Sequence, residues 1–263
     1  MGNQESGENQ NLAQNENPAP QQRSSNVFDP SLLLKYENYR VIKKLQGGAQ
    51  GKTYLMELIA TGKKYVMKKV DYLEENDKQQ ADYEVQLICT FQDRTELCMI
   101  LEYCSLGDLR KVIAELQQVP EEERIMRVWE LLAQIIRALD HLHSNGVVHR
   151  DIKPENIFVM EDGSVRLGDF GLAKNINNLD YLTVAGTKVY QAQEVFRLKR
   201  MTIESDLFAV GICIFELISG KHPFDSQSEQ EMIEKIKNGE VSNLPNWVSS
   251  ELKQLVMSML NHV

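Results

Sequence analysis

The chain is short of cysteine, of long apolar runs and of positive charge, and each shortage narrows its class. Cys89, Cys98, Cys104 and Cys213 are the four cysteines among 263 residues, and no two stand in C-x-x-C spacing. Neither a disulfide framework nor a zinc site is suggested, and reduced, buried thiols are expected. No stretch approaches the roughly 18 apolar residues of a membrane span, and the N-terminus lacks the apolar core of a secretory signal. The expected location is cytoplasmic. Lys and Arg number 29 against 38 Asp and Glu, a formal net charge of -9. Nucleic acid is therefore not the expected partner, because phosphate-backbone binding draws its affinity from clustered cations. What remains is 42% hydrophobic and 25% charged, enough for one large or two small domains with a buried core.

Residues 1–27 are Asn, Gln, Glu, Ser and Pro with almost nothing apolar, so burial cannot offset their ordering entropy and a disordered tail is expected. The first six residues, MGNQES, fit the myristoylation pattern M-G-x-x-x-[ST] with Gly2 as acceptor. The pattern is short enough to arise by chance. Glu5 and Glu8 would be repelled by anionic lipid and one acyl chain binds only marginally, so weak membrane association is expected only if Gly2 is acylated.

From residue 36 to 103 β signals dominate: YRVIKKL (39–45), TYLMELI (53–59), KYVMKKV (64–70), VQLICTF (85–91) and LCMILEY (97–103), with turns at Thr61-Gly62 and QDRTE. After Gly107 the period becomes helical, over 108–118 and then 121–144. In the longer stretch Ile125, Val128, Trp129, Leu132, Ile135, Ile136, Leu139 and Leu142 fall on one stripe. Further helices are expected at 204–219, 226–238 and 248–260. The fold class is α+β, a small antiparallel β lobe (36–103) followed by a mainly helical lobe (104–263), with no internal repeat.

Residues 45–54 read LQGGAQGKTY. A Walker loop, G-x-x-x-x-G-K-[ST], needs Gly at 46 ahead of Gly51, Lys52 and Thr53, while a lid of the form G-x-G-x-x-G needs Gly at 46, 48 and 51. Position 46 is Gln. A Walker loop opens a helix whose amide dipoles meet the phosphates. Here a strand follows, turns at Thr61-Gly62 and returns, so the glycines sit at a hairpin tip.

The most specific pattern is HRDIKPENIF (149–158) followed by DFG at 169–171, thirteen residues after Asn156. From Tyr39 to the C-terminus the sequence resembles the eukaryotic protein kinase family, and HRDIKPENIF with LGDFGLAK is most similar to its NIMA-related (NEK) members. The resemblance implies a bilobal fold and Mg2+-ATP-dependent transfer of the γ-phosphate to Ser/Thr hydroxyls of protein substrates. It implies that Asp151 receives or orients the hydroxyl proton, that Asn156 and Asp169 hold magnesium, and that Lys153 meets the transferring phosphate. On the nucleotide side it implies a lid of Leu45, Gly48, Gly51 and Thr53, with Val66 and Lys68 on the next strand. Lys69 competes with Lys68; alternation and family position favour Lys68, leaving Lys69 to solvent. The segment MILEYCSLGDL resembles the inter-lobe hinge, with Leu101 behind adenine, Glu102 and Cys104 backbone groups facing it, and Asp108 near the ribose. Thr183 resembles a regulatory phosphosite that Arg150 would pair with, Tyr181 is a further candidate, and Thr187 resembles the threonine that touches Asp151 and Lys153. Asp206 resembles a helix-start aspartate bracing the catalytic loop.

The sequence also departs from the family. Only sixteen residues separate Lys68 from Val85, where kinases place the helix whose glutamate pairs with the lysine. Glu74, Glu75 and Glu84 are the candidates, with Glu84 preferred. Gln46 replaces a lid glycine, the A-P-E signature reads Ala192-Gln193-Glu194, and the chain ends at Val263 before the family's last helix. Weaker ATP binding or a less stable lower lobe is the expected consequence. Two readings follow: an active Ser/Thr kinase, or a nucleotide-binding pseudokinase scaffold in which the Lys68 pair does not form.

Overall fold

The structure, a computed structural model, describes residues 29–45, 52–71, 87–175 and 184–261. The chain divides into two units, residues 1–30 and 31–263, and the fold below belongs to the second.

Its first part is an antiparallel sheet of β1 (Tyr39–Lys44), β2 (Lys52–Leu58), β3 (Lys64–Asp71), β4 (Leu87–Asp93) and β5 (Glu96–Glu102), in the order β1-β2-β3-β5-β4. The expected five-residue QDRTE turn shrinks to two residues. Gln92 and Asp93 still pair with Leu97 and Glu96, and Arg94 takes the left-handed conformation (φ 57°) that closes so short a loop.

Side-chain alternation gives the sheet two faces with separate apolar clusters. One holds Val66, Val70, Leu97, Met99 and Leu101. The other holds Tyr39, Met56, Leu58, Tyr65, Met67, Cys98 and Ile100, together with Leu33, a residue ahead of the expected start at 36 whose carbonyl accepts from Tyr39 Oη at 3.0 Å.

The two lysines of β3 point to opposite faces, and Lys69 does not go to solvent as its sequence position suggested. Its side chain is 9% exposed, held between Asp93 Oδ2 (3.2 Å) and Glu96 Oε2 (2.6 Å), with its ammonium 4.4 Å from the centre of the Tyr36 ring. Burial opposes its charge, but the two carboxylates outweigh burial and raise its pKa.

The helical part opens with α1 (Leu109–Leu116) and α2 (Glu121–Ser144), whose first turn carries Glu121, Glu122 and Glu123 against the positive end of the helix dipole. The α2 stripe differs from expectation at one position: Trp129 stays 39% exposed and Leu131 is fully buried in its place. Among the described residues four α-helices follow: α3 (Gln193–Leu198), α4 (Ile203–Ser219), α5 (Glu229–Asn238) and α6 (Ser250–Leu260). Helix α3 was not expected, because six residues are too few to establish a period. Ser228 and Ser249 accept from Glu231 N and Leu252 N, so these caps start α5 and α6 two or three residues later than periodicity placed them.

Helix α4 is apolar nearly all round, with 13 of its 17 residues buried, and runs through the centre of the helical part. Gly211 lets α6 lie against it, since a Cβ there would sit 2.8 Å from Met259 Cβ. Short strands β6 (Val147–Val148), β7 (Ile157–Val159), β8 (Val165–Leu167) and β9 (Lys174–Asn175) pair as β6-β9 and β7-β8. No helix among the described residues is long and apolar enough to cross a membrane.

Candidate active site

The loop after β6 is fixed from below by Asp206, in the first turn of α4 and 1% exposed. Asp206 Oδ1 accepts from Arg150 N (2.9 Å), and Oδ2 accepts from His149 N (2.8 Å) and lies 3.0 Å from His143 Nε2 at the end of α2. Arg150 adopts φ 69°, a conformation that costs a non-glycine residue about 1–3 kcal/mol unless its surroundings hold it. The carboxylate meeting consecutive N–H groups is such a hold.

His149 is fully buried and connects this loop to the segment after β8. Its Nε2 lies 3.1 Å from Gly168 O, and Asp151 N donates to its Nδ1 at 3.4 Å. A carbonyl only accepts, so the ring proton sits on Nε2. Phe170, also fully buried, packs against the His149 ring at 4.8 Å.

Asn156 and Asp169 are brought together by a hairpin. Asn156 immediately precedes β7, Asp169 follows β8 by two residues, and Ile157 pairs with Leu167, so antiparallel pairing closes the thirteen-residue separation. Gly168 N donates to Asn156 O at 2.8 Å. Asp169 is left-handed (φ 59°, ψ 64°), as Arg94 and Arg150 are.

Asp151 is the hub. Its Oδ2 accepts from Lys153 Nζ (2.8 Å) and Asn156 Nδ2 (2.9 Å), and its Oδ1 accepts from Thr187 N (2.9 Å) and Thr187 Oγ1 (3.0 Å). Lys153 Nζ also donates to Thr187 Oγ1 at 2.9 Å. Burial pushes the Asp151 carboxyl up, but Lys153 and the Thr187 donors together outweigh it and hold its pKa below the ordinary Asp value. Gly186 makes this approach possible: at φ 84°, an added Cβ would lie 2.4 Å from Arg150 O and 2.9 Å from Asp151 Oδ1.

From the sheet, Lys68 Nζ reaches Asp169 Oδ1 at 3.2 Å, joining β3 to the segment after β8. Thr53 pairs with Lys68 and Val66 with Leu101, and Leu45 N donates to Thr53 O at 2.9 Å, closing the β1-β2 hairpin. At the end of β5, Glu102 Oε2 accepts from Arg166 Nε (3.1 Å), while burial, followed by the Glu102 charge, lifts the Cys104 thiol to about 11. Asp108 caps α1, accepting from Lys111 N at 3.3 Å, a role its sequence context did not suggest. Arg150 is 5% exposed and its Nε donates to Leu172 O. Gly2, Gln46, Gly48, Gly51, Glu74, Glu75, Glu84, Tyr181 and Thr183 lie outside the described residues.

Two features escaped the sequence reading. Arg110 joins Glu155 just ahead of β7 (3.0 Å), Glu216 of α4 (3.0 Å) and Tyr190 Oη (2.6 Å), and Tyr190 Oη donates to Glu216 Oε2 at 2.9 Å. Burial raises the Glu216 carboxyl above the ordinary Glu range against the opposing Arg110 charge. Gln191, 3% exposed, donates to Ala185 O and Gly186 O. Their partners lie far apart in the chain or are backbone atoms, so no local pattern marks them.

Residues 39–263 match the protein kinase domain family. The chain belongs to that family. Among its relatives, Serine/threonine-protein kinase Nek6 of Oryza sativa subsp. japonica is 35% identical over 240 residues, 85% of this chain and 44% of the relative. G2-specific protein kinase nimA of Emericella nidulans is 28% identical, covering 87% of this chain and 39% of the relative. Serine/threonine-protein kinase Nek1 of Mus musculus is 30% identical, covering 85% and 20%. The chain thus spans less than half the length of these relatives. Their names agree with the NIMA-related resemblance of the HRDIKPENIF and LGDFGLAK segments. Within the kinase domain the antiparallel sheet and the helical part form the α+β, bilobal arrangement.

Proposed function

We propose that this kinase domain transfers the γ-phosphate of Mg2+-ATP to Ser or Thr hydroxyls of protein substrates. The observation that carries the reading is the Asp151 carboxylate, held by Lys153, Asn156 and Thr187 beside the Asn156–Asp169 pair. Members of the family use ATP and magnesium in general, and the oxygen donors here suit a hard cation. The Asn156 amide nitrogen is committed to Asp151 O (2.8 Å) and Oδ2 (2.9 Å), which leaves its carbonyl oxygen free to act with the Asp169 carboxylate. When bound, magnesium-ATP supplies the phosphoryl group and the cation that offsets its charge.

The chain's own residues supply positioning. Asp151, with its lowered pKa, is ionised at neutral pH and a weak base; it accepts a hydrogen bond from the substrate hydroxyl and aligns it. A loose transition state asks for little more, since the proton need leave only late. Lys153 sits between Asp151 and Thr187, where its ammonium offsets charge on the transferring group. Lys68, beside Asp169, is the cation for the α- and β-phosphates, and Val66, Leu101 and the Glu102–Cys104 backbone form the adenine side. Thr183 as phosphosite and Gly2 as acylation site are part of the same proposal.

The test is transfer of labelled γ-phosphate to a generic protein substrate by the chain and by Asp169→Asn. Label on Ser and Thr, falling by on the order of 100-fold or more in the variant, is expected. Equal label from both proteins would refute catalysis.

A further inference from the structure

The segment that carries Thr187 onto Asp151 is anchored on its other side by a residue to which neither motif nor chemistry assigns a role. Gln191 is 3% exposed, and its Nε2 donates to Ala185 O at 2.8 Å and Gly186 O at 3.3 Å. One primary amide thus spends both hydrogens on consecutive carbonyls.

The geometry of one peptide unit shows what this does. Gly186 C=O and Thr187 N–H belong to the same planar trans amide and point in opposite directions. Gln191 holds the carbonyl end, and Asp151 Oδ1 accepts from the N–H end at 2.9 Å. The plane is pinned from both sides. Its orientation sets where the Thr187 hydroxyl meets Asp151 (3.0 Å) and Lys153 (2.9 Å). Gly186, with no side chain and φ 84°, offers no steric resistance to rotation of its own, so the plane depends on these hydrogen bonds.

We propose that Gln191 is a positioning residue for phosphoryl transfer: its amide fixes the Gly186–Thr187 peptide and, through Thr187, the carboxylate that aligns the acceptor hydroxyl. This rests on the kinase reading above. It predicts a selective defect on the acceptor side, because the Gln191 amide holds the Ala185 and Gly186 carbonyls beside Thr187, whereas Lys68 and Asp169, on the nucleotide side, pair with each other.

The experiment is steady-state kinetics of the full chain with casein as protein substrate, comparing wild type, Gln191→Leu, Gln191→Glu and Asp169→Asn. Gln191→Leu keeps the bulk but removes both donors. It is expected to lower kcat/KM for casein by about tenfold, the usual consequence of losing one buried hydrogen bond, here the one to Gly186 O that pins the peptide plane, while the KM for ATP stays within about twofold. Gln191→Glu places a carboxyl against two carbonyl oxygens, so its pKa rises and its protonated form regains one donor. Its kcat/KM relative to wild type should climb several-fold from pH 8 to pH 6, whereas the Leu variant's ratio stays flat.

Casein turnover by Gln191→Leu within about twofold of wild type overturns the proposal, as does a Glu ratio that ignores pH. If Gln191→Leu does not fold, the pH dependence of the Glu ratio decides alone. A wild type no more active than Asp169→Asn would instead remove the kinase reading, and this proposal with it.

Discussion

Replacing Asp206 by Asn tests how the catalytic loop is held. The carboxylate receives His149 N at 2.8 Å, Arg150 N at 2.9 Å and His143 Nε2 at 3.0 Å, at 1% exposure. Asn keeps the shape but has one acceptor oxygen, so at one of the two oxygen positions an NH2 group faces a donor. A hydrogen bond to a charged acceptor contributes about 1.5–3 kcal/mol, and a stranded buried N–H costs about 1–3 kcal/mol. With partial relaxation the expected loss is about 2–4 kcal/mol, inside the stability of an ordinary domain, so the variant still folds. Arg150 at φ 69° is then free to relax, and the Asp151 carboxylate shifts with it. A displacement near 1 Å costs on the order of 100-fold in rate. Urea titration gives the stability change and labelled phosphate transfer the rate, with Asp140→Asn on the exposed face of α2 as the control. If Asp206→Asn matched that control within about 0.5 kcal/mol and kept its activity within about twofold, the bracing argument would be wrong.

Gly186→Ala should reduce transfer by tenfold or more, roughly the outcome of breaking the Thr187–Asp151 contacts, because its Cβ would lie 2.4 Å from Arg150 O; kinetics with an unchanged nucleotide-induced melting shift would check it. Lys153→Met should destabilise more at pH 7 than at pH 3 in urea titrations. With Lys153 present the Asp151 pKa is lowered, so its stabilisation is complete above the unfolded value of about 3.9 and is lost as pH falls through the folded value. Without Lys153 the largest lowering influence on that carboxyl is gone, so its pKa rises and the stabilisation it supplies at pH 7 shrinks; equal losses at both pH values would contradict this. Arg110→Ala should cost about 1–3 kcal/mol, discounted because Arg110 is 42% exposed, and more than Glu216→Gln, since only the former strands a buried carboxylate. Thermal melts that rank the two in the opposite order would show that the pair does not work this way.

The candidate catalytic segment was legible in the chain because its spacing is local. Asp151, Lys153 and Asn156 lie within one loop, and the thirteen residues to Asp169 are the length of one short hairpin, so spacing along the sequence stands in for distance in space. Strand alternation likewise separated Lys68 from Lys69, although it could not supply Lys69 with partners. Tyr36, Asp93 and Glu96 reach it from other elements, and they turned an expected solvent charge into a buried one. Trp129 and Leu131 traded places because which flank of the α2 stripe is covered depends on what packs there.

From its residues alone the chain determined its fold class, its family resemblance and the candidate site residues, since periodicity and motif spacing act over a few residues. Only the tertiary structure decided that Asp93 and Glu96 hold Lys69, that Arg110 ties Tyr190 to Glu216, and that Gln191 grips the turn behind Thr187. Hydrogen bonds and burial between distant segments exist only once the chain has closed on itself, and no local pattern encodes them.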